Sequence, residues 1–362
     1  MARPNQARLD LDALRANLAH ARSLSPHSKV MAVIKANAYG HGAVAVGHAL
    51  EASTDAFAVA CIEEALELRG AGITAPILLL QGIFETAELA LARQHNFWLM
   101  IENEWQLQTV EDAVPGAALN CWLKIDTGMH RLGIDTTAAS AFYQRLKYSE
   151  NVTDEIVVCS HFASADDLES DQTRLQIECF EAVTANFDAP RSLSNSPALL
   201  GWPASRLEWI RPGYMLYGNS PFGNRAHPST DALRPVMTLT SSIISVREVA
   251  TGEPVGYAAS WVAKRPSRIA TVTIGYGDGY PRLAKNGTPV LIKGQRAPLA
   301  GRVSMDMITV DVTDLENVQV GDKVTLWGEG LPVGEVAEWA DTIGYELTTR
   351  MPMRTPRVVT KG

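Results

Sequence analysis

The sequence lacks a surplus of positive charge, and this excludes one class of partner. Its 32 lysines and arginines are outnumbered by 40 aspartates and glutamates, so the formal net charge is -8. Nucleic-acid binding needs basic side chains that neutralise phosphates, and we therefore expect no nucleic-acid partner. No run of about 20 apolar residues is present, so we expect no membrane-spanning helix and no membrane partner. The opening MARPNQARLDLDAL lacks the apolar centre of a secretory signal.

Cysteine is scarce, and its spacing favours neither a disulfide framework nor a metal site. The four cysteines, Cys61, Cys121, Cys159 and Cys179, form no C-x-x-C pair. Buried free thiols are the favoured interpretation. Free thiols and the missing signal together predict a reducing, cytoplasmic location.

The first 220 or so residues alternate short apolar runs with amphipathic stretches, whose apolar residues recur every three to four positions. Eight strands alternating with helices predict an N-terminal parallel (β/α)8 TIM barrel, with a doubly wound open sheet as the alternative. Polar residues end several strands, and barrel enzymes carry their active sites at that end. The predicted strands are 30–36, 56–61, 76–81, 96–101, 119–126, 155–162, 191–195 and 207–213, and the polar strand ends are Lys35, Asp126, His161, Asn195 and Arg211.

The pattern changes near residue 235. From there the apolar residues alternate with period two, between glycines, prolines and aspartates, as in RIATVTIGYGDGY (268–280) and MDMITVDVTDL (305–315). A chain of 362 residues also exceeds the roughly 250–300 residues that one core supports. We therefore predict two domains, a barrel over 1–235 and a mostly β domain over 236–362.

The segment AVIKANAYGHG (32–42) contains an unusual lysine. Lys35 ends a strand of valine and isoleucine, where desolvation makes an amine nucleophilic. The following Gly-rich turn lets backbone approach a phosphate closely. A lone lysine of this kind would be interpreted as a strand end that reaches solvent, but the adjacent turn favours a Schiff-base lysine.

This segment resembles the pyridoxal-phosphate attachment motif of the alanine racemase family. Further motifs resemble the same family, in the family's order and along nearly the whole chain: KIDTGMHRLG (124–133), SHF (160–162), SLSNS (192–196), RPGYMLYG (211–218), VGYAASW (255–261), IGYGDGYPR (274–282), GRVSMDM (301–307) and GYELTTR (344–350). The resemblance implies racemisation of alanine, and the family's β/α barrel with a following β-domain agrees with the predicted fold.

The resemblance also implies the two catalytic groups. Lys35 is similar to the lysine that carries pyridoxal 5'-phosphate, and Tyr257 to a second base on the opposite face of the cofactor. Racemisation needs two acid–base groups that flank one α-carbon. In the family this tyrosine comes from the partner subunit, so the resemblance implies a homodimer with shared active sites.

The remaining residues of the predicted site are implied in the same way. Arg211 resembles the arginine that faces the pyridine nitrogen, and His161 a residue that stacks on the ring and reaches Arg211. The phosphate site is implied for Tyr39, Asn195, Ser196, Gly213, Tyr214 and Tyr345. Substrate contacts are implied for Arg131, Met305, Asp306, Tyr276 and Tyr345. Lys124 is similar to a lysine that is often carbamylated in the family, and pairing with Asp126 is the alternative.

Three other functions compete with this interpretation. A decarboxylase on this scaffold prefers an acidic partner for the pyridine nitrogen, which Arg211 argues against. A non-catalytic cofactor carrier would lack the domain that contains Tyr257 and Met305. A broad-specificity racemase for basic amino acids would often carry an export signal. The motifs do not distinguish an enzyme that supplies D-alanine, a peptidoglycan precursor, from one that degrades it.

Overall fold

The computed structural model describes residues 3–223 and 227–361. Within these ranges no helix is long and apolar enough to cross a membrane. The elements up to residue 210 are, in chain order, β1 (Gln6–Asp10), α1 (Leu11–Leu24), β2 (Lys29–Val33), α2 (Lys35–Tyr39), α3 (Ala43–Leu50), β3 (Ala56–Val59), α4 (Ile62–Gly70), β4 (Ile77–Leu79), α5 (Glu88–His95), β5 (Phe97–Ile101), α6 (Glu104–Glu111), β6 (Cys121–Lys124), α7 (Ala139–Tyr148), β7 (Val157–Cys159), α8 (Asp171–Thr184), β8 (Arg191–Ser192), α9 (Ser196–Gly201) and β9 (Trp209–Ile210).

Strands β2 to β9 form a closed parallel barrel, which confirms the predicted TIM barrel. The last strand pairs with the first, with Lys29 opposite Trp209 and Val30 opposite Ile210, so the open sheet is excluded. Apolar side chains fill the barrel interior, among them Met31, Met100 and Trp122. Because helices cover the outside and side chains fill the inside, the strands are apolar on both faces.

The second domain is mostly β, as predicted. Its elements are β10 (Met237–Val249), β11 (Pro254–Val255), β12 (Trp261–Val262), β13 (Ser267–Val272), β14 (Pro289–Ile292), β15 (Gln295–Pro298), β16 (Ile308–Asp311), β17 (Lys323–Trp327), α10 (Val333–Trp339), α11 (Gly344–Thr349) and β18 (Arg357–Lys361). Its larger sheet has the order β15-β14-β17-β10-β1-β18, and β13 pairs with both β10 and β16. Trp327 and Tyr280 are fully buried in its core.

Strand β1 lies in this second sheet, although its residues fall in the range that the sequence analysis assigned to the barrel. It pairs antiparallel with β10 and parallel with β18. Ala7 and Leu9 are buried in the second core, and their neighbours are only partly covered. This alternation of buried and half-buried residues is typical of a strand with one face on a core.

Helix α11 of the second domain packs against the barrel beside Lys35. A Cβ atom on Gly40 would overlap the carbonyl oxygen of Thr348, so only glycine allows this approach. The Arg357 guanidinium also donates from Nε to the Gly40 carbonyl oxygen at 3.0 Å. The second domain therefore forms part of the wall of any site at this end of the barrel.

Candidate active site

A cavity of about 510 Å³ opens at the carboxyl end of the barrel. Its walls come from the ends of the strands, the loops that follow them, and α11. The predicted site residues that line it are Lys35, Tyr39, Lys124, Arg131, His161, Asn195, Ser196, Arg211, Gly213, Tyr214 and Tyr345. Of the other predicted site residues, Tyr257, Tyr276, Met305 and Asp306 do not line it.

Lys35 lies in this cavity because it follows directly on the end of β2. Met31 and Val33 of this strand pack in the barrel interior, and Val33 and Lys35 both line the cavity. Burial lowers the pKa of the Lys35 amine, and the positive charge of Arg131 lowers it further, while the Glu64 carboxylate acts in the opposite direction. A larger fraction of this amine is therefore neutral and nucleophilic than in an exposed lysine.

The turn after Lys35 is left-handed, which the sequence analysis did not predict. Residues 36–39 all have φ near 52°, a conformation that costs about 1–2 kcal/mol for each residue other than glycine. Glu64 stabilises the beginning of this turn, because its carboxylate accepts hydrogen bonds from the N–H groups of Ala36 at 2.7 Å and Ala60 at 2.8 Å. Asn37 Oδ1 holds the following chain by accepting from the Ala43 N–H at 2.7 Å. Neighbouring side chains thus stabilise a backbone that these residues alone disfavour.

The His41 ring stabilises the same turn through its carbonyl oxygens. Its Nδ1 lies 3.1 Å and 3.0 Å from the carbonyl oxygens of Ala38 and Tyr39, which can only accept, so Nδ1 carries the proton. The ring stacks on Tyr217, with centroids 4.4 Å apart. Burial lowers the pKa of His41 to about 4, so the imidazole is neutral at neutral pH.

Arg211 is a buried cation at the end of β9, with 6% of its surface exposed. Its guanidinium donates to Ser192 Oγ and, at 2.6 Å, to the Ser160 carbonyl oxygen. Burial lowers the pKa of the Arg211 guanidinium. Because the ordinary pKa of arginine is very high, the group stays charged at neutral pH. Desolvation and this nearby charge hold the pKa of His161 well below its usual value, so His161 is neutral. The hydrogen bonds described for the guanidinium go to Ser192, Ser160 and Leu193, so the expected bond to the His161 ring does not appear among them.

The loops after β8 and β9 meet at Ser196 and Gly213. Ser196 Oγ accepts from the N–H of Gly213 at 2.9 Å and of Met215 at 3.2 Å. A Cβ on Gly213 would lie 2.6 Å from the Tyr39 hydroxyl, so this backbone position needs glycine. Asn195 is the N-cap of α9, where its Oδ1 accepts from the Ala198 N–H at 3.1 Å.

Aromatic rings from both domains form one wall of the cavity. Tyr214 from the barrel and Tyr345 from α11 stack with centroids 3.6 Å apart and ring planes 13° apart. The Tyr39 ring lies 6.2 Å from that of Tyr345. Burial raises the pKa of Tyr39 to about 12, so its hydroxyl stays protonated and can donate a hydrogen bond at neutral pH.

Lys124 forms an ion pair that the sequence analysis missed. Its Nζ lies 3.3 Å from Glu102 Oε2, and the two side chains are 12% and 4% exposed. Asp126, the partner considered from the sequence, instead accepts N–H groups of the loop 128–130 and contacts His130. The sequence does contain a pattern that indicates an inward-facing Glu102: the residue follows Met100 at a spacing of two, and Met100 lies on the strand face that points into the barrel. Among the described residues, no group of three or more histidines, cysteines and carboxylates could hold a metal ion.

The predicted residues outside the cavity lie on adjoining loops of the β-domain. The exposed fractions of Tyr257, Tyr276 and Met305 are 65%, 41% and 53%. The Tyr276 N–H donates to the Ser304 carbonyl oxygen at 3.1 Å, and the Gly277 N–H to that of Met305 at 2.9 Å. The structure therefore joins Tyr276 and Met305 in one surface.

Tyr257 adjoins this surface through the turn at Gly301. Asn286 Oδ1 accepts from the Gly301 N–H at 2.7 Å, and Asn286 Nδ2 donates to the Ser260 carbonyl oxygen at 2.7 Å. Asp306 is held from the other side by an ion pair with Arg354. We call the loops 255–260, 275–277 and 301–307 the tyrosine face.

Comparison with known proteins gives matches along both domains. Family models of the alanine racemase N-terminal and C-terminal domains match residues 9–221 and 236–359. A catabolic alanine racemase from Pseudomonas putida is 52% identical over 355 residues, which cover 98% of each chain. The crystal structure of the biosynthetic alanine racemase from Pseudomonas aeruginosa superposes with a TM-score of 0.95 at 49% identity, covering 99% of each chain. An alanine racemase from Bartonella henselae with covalently bound pyridoxal phosphate has a TM-score of 0.87 at 31% identity, covering 98% of this chain and 99% of its own. The chain therefore belongs to the alanine racemase family of isomerases.

Proposed function

We propose that this chain interconverts L- and D-alanine with pyridoxal phosphate carried on Lys35, and that two copies share each active site. The observation that carries the proposal is the cavity itself. It joins an amine of lowered pKa, a buried guanidinium and the Ser196–Gly213 turn around one volume of about 510 Å³. This volume is in the usual range for small-molecule sites, roughly 300–1,000 Å³.

The residues of the cavity fit the cofactor. The absence of a side chain on Gly213 lets a phosphate approach the backbone, and Ser196 and Tyr39 add hydroxyl groups beside it. Arg211 is assigned to the pyridine nitrogen, because its permanent charge disfavours a second positive charge nearby. Pyridoxal phosphate, when bound, withdraws electrons from the Cα–H bond of the attached amino acid.

Lys35 is assigned as one of two bases. Burial lowers the pKa of its amine, so Lys35 accepts the α-proton of one enantiomer more readily than an exposed lysine would. The reverse reaction returns a proton from the same nitrogen to the same face. Inversion also requires an acid–base group on the other face of the α-carbon, and we assign this role to Tyr257.

Tyr257 is supplied by a second copy in this proposal. The tyrosine lies outside the cavity of its own chain and is 65% exposed. Met305, Met307 and Tyr276 are also exposed on the tyrosine face, and exposed apolar groups in contiguous loops favour an interface. Docking of this surface on the cavity of a partner would bury them and complete both sites of a homodimer.

The substrate contacts follow from the same arrangement. Arg131 is an exposed cation at the cavity mouth and is assigned to the substrate carboxylate, together with the Met305 N–H of the partner. Tyr345 from the same chain and Tyr276 from the partner would narrow the space for the substrate side chain. This supports alanine over larger amino acids. The proposed role of Asp306 is to hold the Met305 loop through Arg354.

The test of the activity is racemisation of L-alanine by the purified protein with pyridoxal phosphate, with L-serine, L-arginine and L-lysine as comparison substrates. We expect alanine to give the highest kcat/KM. Borohydride should fix the cofactor to the peptide that contains Lys35. Preferential racemisation of arginine or lysine, or label on another lysine, would contradict the proposal.

The test of the shared site is complementation. Lys35→Ala and Tyr257→Ala homodimers should each be nearly inactive, with a loss of roughly 10²–10⁴ for the tyrosine variant. Mixed subunits form one site with both bases, so activity should return. An inactive mixture in which subunit exchange has been demonstrated would refute a shared site.

A further inference from the structure

Tyr214 is a buried aromatic residue that contacts both domains. It follows Gly213 at the carboxyl end of the barrel, and 3% of its surface is exposed. Its ring stacks on that of Tyr345 in α11, with centroids 3.6 Å apart and ring planes 13° apart. A centroid distance this short places the two rings in van der Waals contact over their faces. The Tyr214 ring therefore closes one side of the Tyr345 ring.

The hydroxyl end of Tyr214 is enclosed by the first turn of α11. A Cβ atom added to Gly344 would overlap the Tyr214 hydroxyl oxygen and would lie 3.4 Å from Tyr214 Cζ. The ring fits at this place because residue 344 is a glycine. Tyr214 is thus held at one end by its own backbone and at the other by the backbone of α11.

The backbones on both sides of the stack are fixed. Ser196 Oγ accepts from the two N–H groups that flank Tyr214 in the chain, at 2.9 and 3.2 Å. The Tyr345 carbonyl oxygen accepts from Thr349 Oγ1 at 2.7 Å. Because both backbones are hydrogen-bonded in place, the position of the Tyr345 ring depends on its side-chain torsions, and the stack restricts these torsions.

We propose that Tyr214 is a positioning residue for Tyr345, and that it thereby sets the preference for alanine over amino acids with larger side chains. This inference rests on the proposed function, in which Tyr345 narrows the space for the substrate side chain. Both tyrosines line the same cavity. A larger side chain needs the Tyr345 ring to move, and the ring cannot move toward Tyr214 while the stack is intact. Without the Tyr214 ring this direction is open, so the cavity should accept a larger side chain.

The first test examines the contact between Tyr214 and α11 and is independent of activity. Gly344→Ala should lower the thermal midpoint of the holoenzyme, because the new methyl group overlaps the Tyr214 hydroxyl. Tyr214→Phe removes that oxygen, so Gly344→Ala should lower the midpoint roughly half as much or less in the Tyr214→Phe background. Gly334→Ala in α10 is the control, because a Cβ added there would meet no atom within 4 Å. Equal losses from Gly344→Ala in the two backgrounds would overturn the proposal.

The second test measures substrate preference. The kcat/KM of the holoenzyme is determined for L-alanine, L-serine and L-2-aminobutyrate, of which the last two extend the alanine methyl group by a hydroxyl and a methyl. Tyr214→Leu should lower the preference for alanine over both larger substrates roughly tenfold, the low end of the discrimination that a pocket achieves for one added group. Tyr214→Phe keeps the stacked ring and should keep this preference within about twofold of the wild type.

Tyr143→Leu is the matched control for loss of a buried, stacked tyrosine. Tyr143 is 4% exposed, stacks on Phe187 with centroids 4.5 Å apart, and does not line the cavity. Its variant should therefore keep the wild-type preference. An unchanged preference in Tyr214→Leu, or an equal loss in Tyr214→Phe, would overturn the proposal. A gain for serine alone would also overturn it, since added space admits both larger substrates.

The two tests fail separately from the proposed function. Absence of alanine racemisation by the wild-type protein would refute the proposed function, whereas the unfolding comparison would still report whether Gly344 leaves room for the Tyr214 hydroxyl. Racemisation of alanine with an unchanged preference in Tyr214→Leu would overturn this inference alone. If Tyr214→Leu is not folded, Tyr214→Met takes its place, with the same expected and contradicting results.

Discussion

Replacement of Gly213 by alanine is expected to weaken cofactor binding through a single steric contact. The new Cβ would lie 2.6 Å from the Tyr39 hydroxyl oxygen, 3.2 Å from Tyr39 Cζ and 3.4 Å from Val33 Cβ. The φ angle of Gly213 is -128°, outside the left-handed region, so left-handed strain does not contribute. Tyr39 has little room to move, because its ring packs 5.0 Å from that of Tyr217.

The magnitude follows from the cost of overpacking. An added methyl group in a well-packed site costs about 1–3 kcal/mol. Each 1.4 kcal/mol is a factor of ten in affinity. A steric cost of this size in the cofactor-bound state should therefore lower the affinity for pyridoxal phosphate roughly 5- to 150-fold. The assay is cofactor release: each variant is diluted, and the fraction of protein-bound cofactor is followed by its visible absorbance.

A second variant tests the cause. Tyr39→Phe removes the oxygen that is nearest to the new Cβ, so Gly213→Ala should cost less in a Tyr39→Phe background than in the wild-type one, by about 1 kcal/mol. Gly334→Ala is the control, because Gly334 lies in α10 and a Cβ added there would meet no atom within 4 Å. Strictly additive effects of the two substitutions, or normal cofactor affinity in Gly213→Ala, would refute the steric explanation.

Two further predictions concern stability. The pKa of His41 is lowered to about 4 in the folded chain, so its contribution to the free energy of unfolding should be fully present above the unfolded pKa of about 6.5. As the pH falls from 6.5 toward 4, the free energy of unfolding should decrease by about 3 kcal/mol. In urea unfolding, His41→Gln should make the free energy of unfolding depend less on pH in this window, and an unchanged pH dependence would contradict this. Asp278 is fully buried and pairs with Arg3 and Arg354, so Asp278→Asn should lower the thermal midpoint by several degrees. Asp314→Asn, which removes an exposed pair, should not, and equal effects of the two would contradict the argument.

The barrel could be predicted because its signals are local. Each of its strands is a short apolar run, and the polar residue at its end is read directly from the same run, as with Lys35 and Arg211. Strand β1 could not be placed in this way. Its pairing partners, Met237–Thr240 and the segment from Arg357, lie more than 220 residues away, and five alternating residues carry no information on which sheet they join.

Two features of the site depend on tertiary contacts that cannot be predicted from the sequence pattern. The left-handed turn at 36–39 contains no glycine, and it is held by Glu64 and by the ring of His41. The pairing of Glu102 with Lys124 depends on the register between β5 and β6, which brings together residues 22 positions apart. In both cases the residue types were visible, but their partners came from neighbouring elements of the barrel.

The balance of charge in the cavity links its architecture to the ligands proposed for it. Lys35, Lys124, Arg131 and Arg211 all face one volume, and their positive charges act on His161 together. Glu102 is paired with Lys124, and Glu64 is engaged with two backbone N–H groups, so the cations outnumber the anions. Like charges in one volume repel each other, and bound anions offset this repulsion. In the proposed function, a phosphate near Ser196 and a carboxylate near Arg131 would supply these anions.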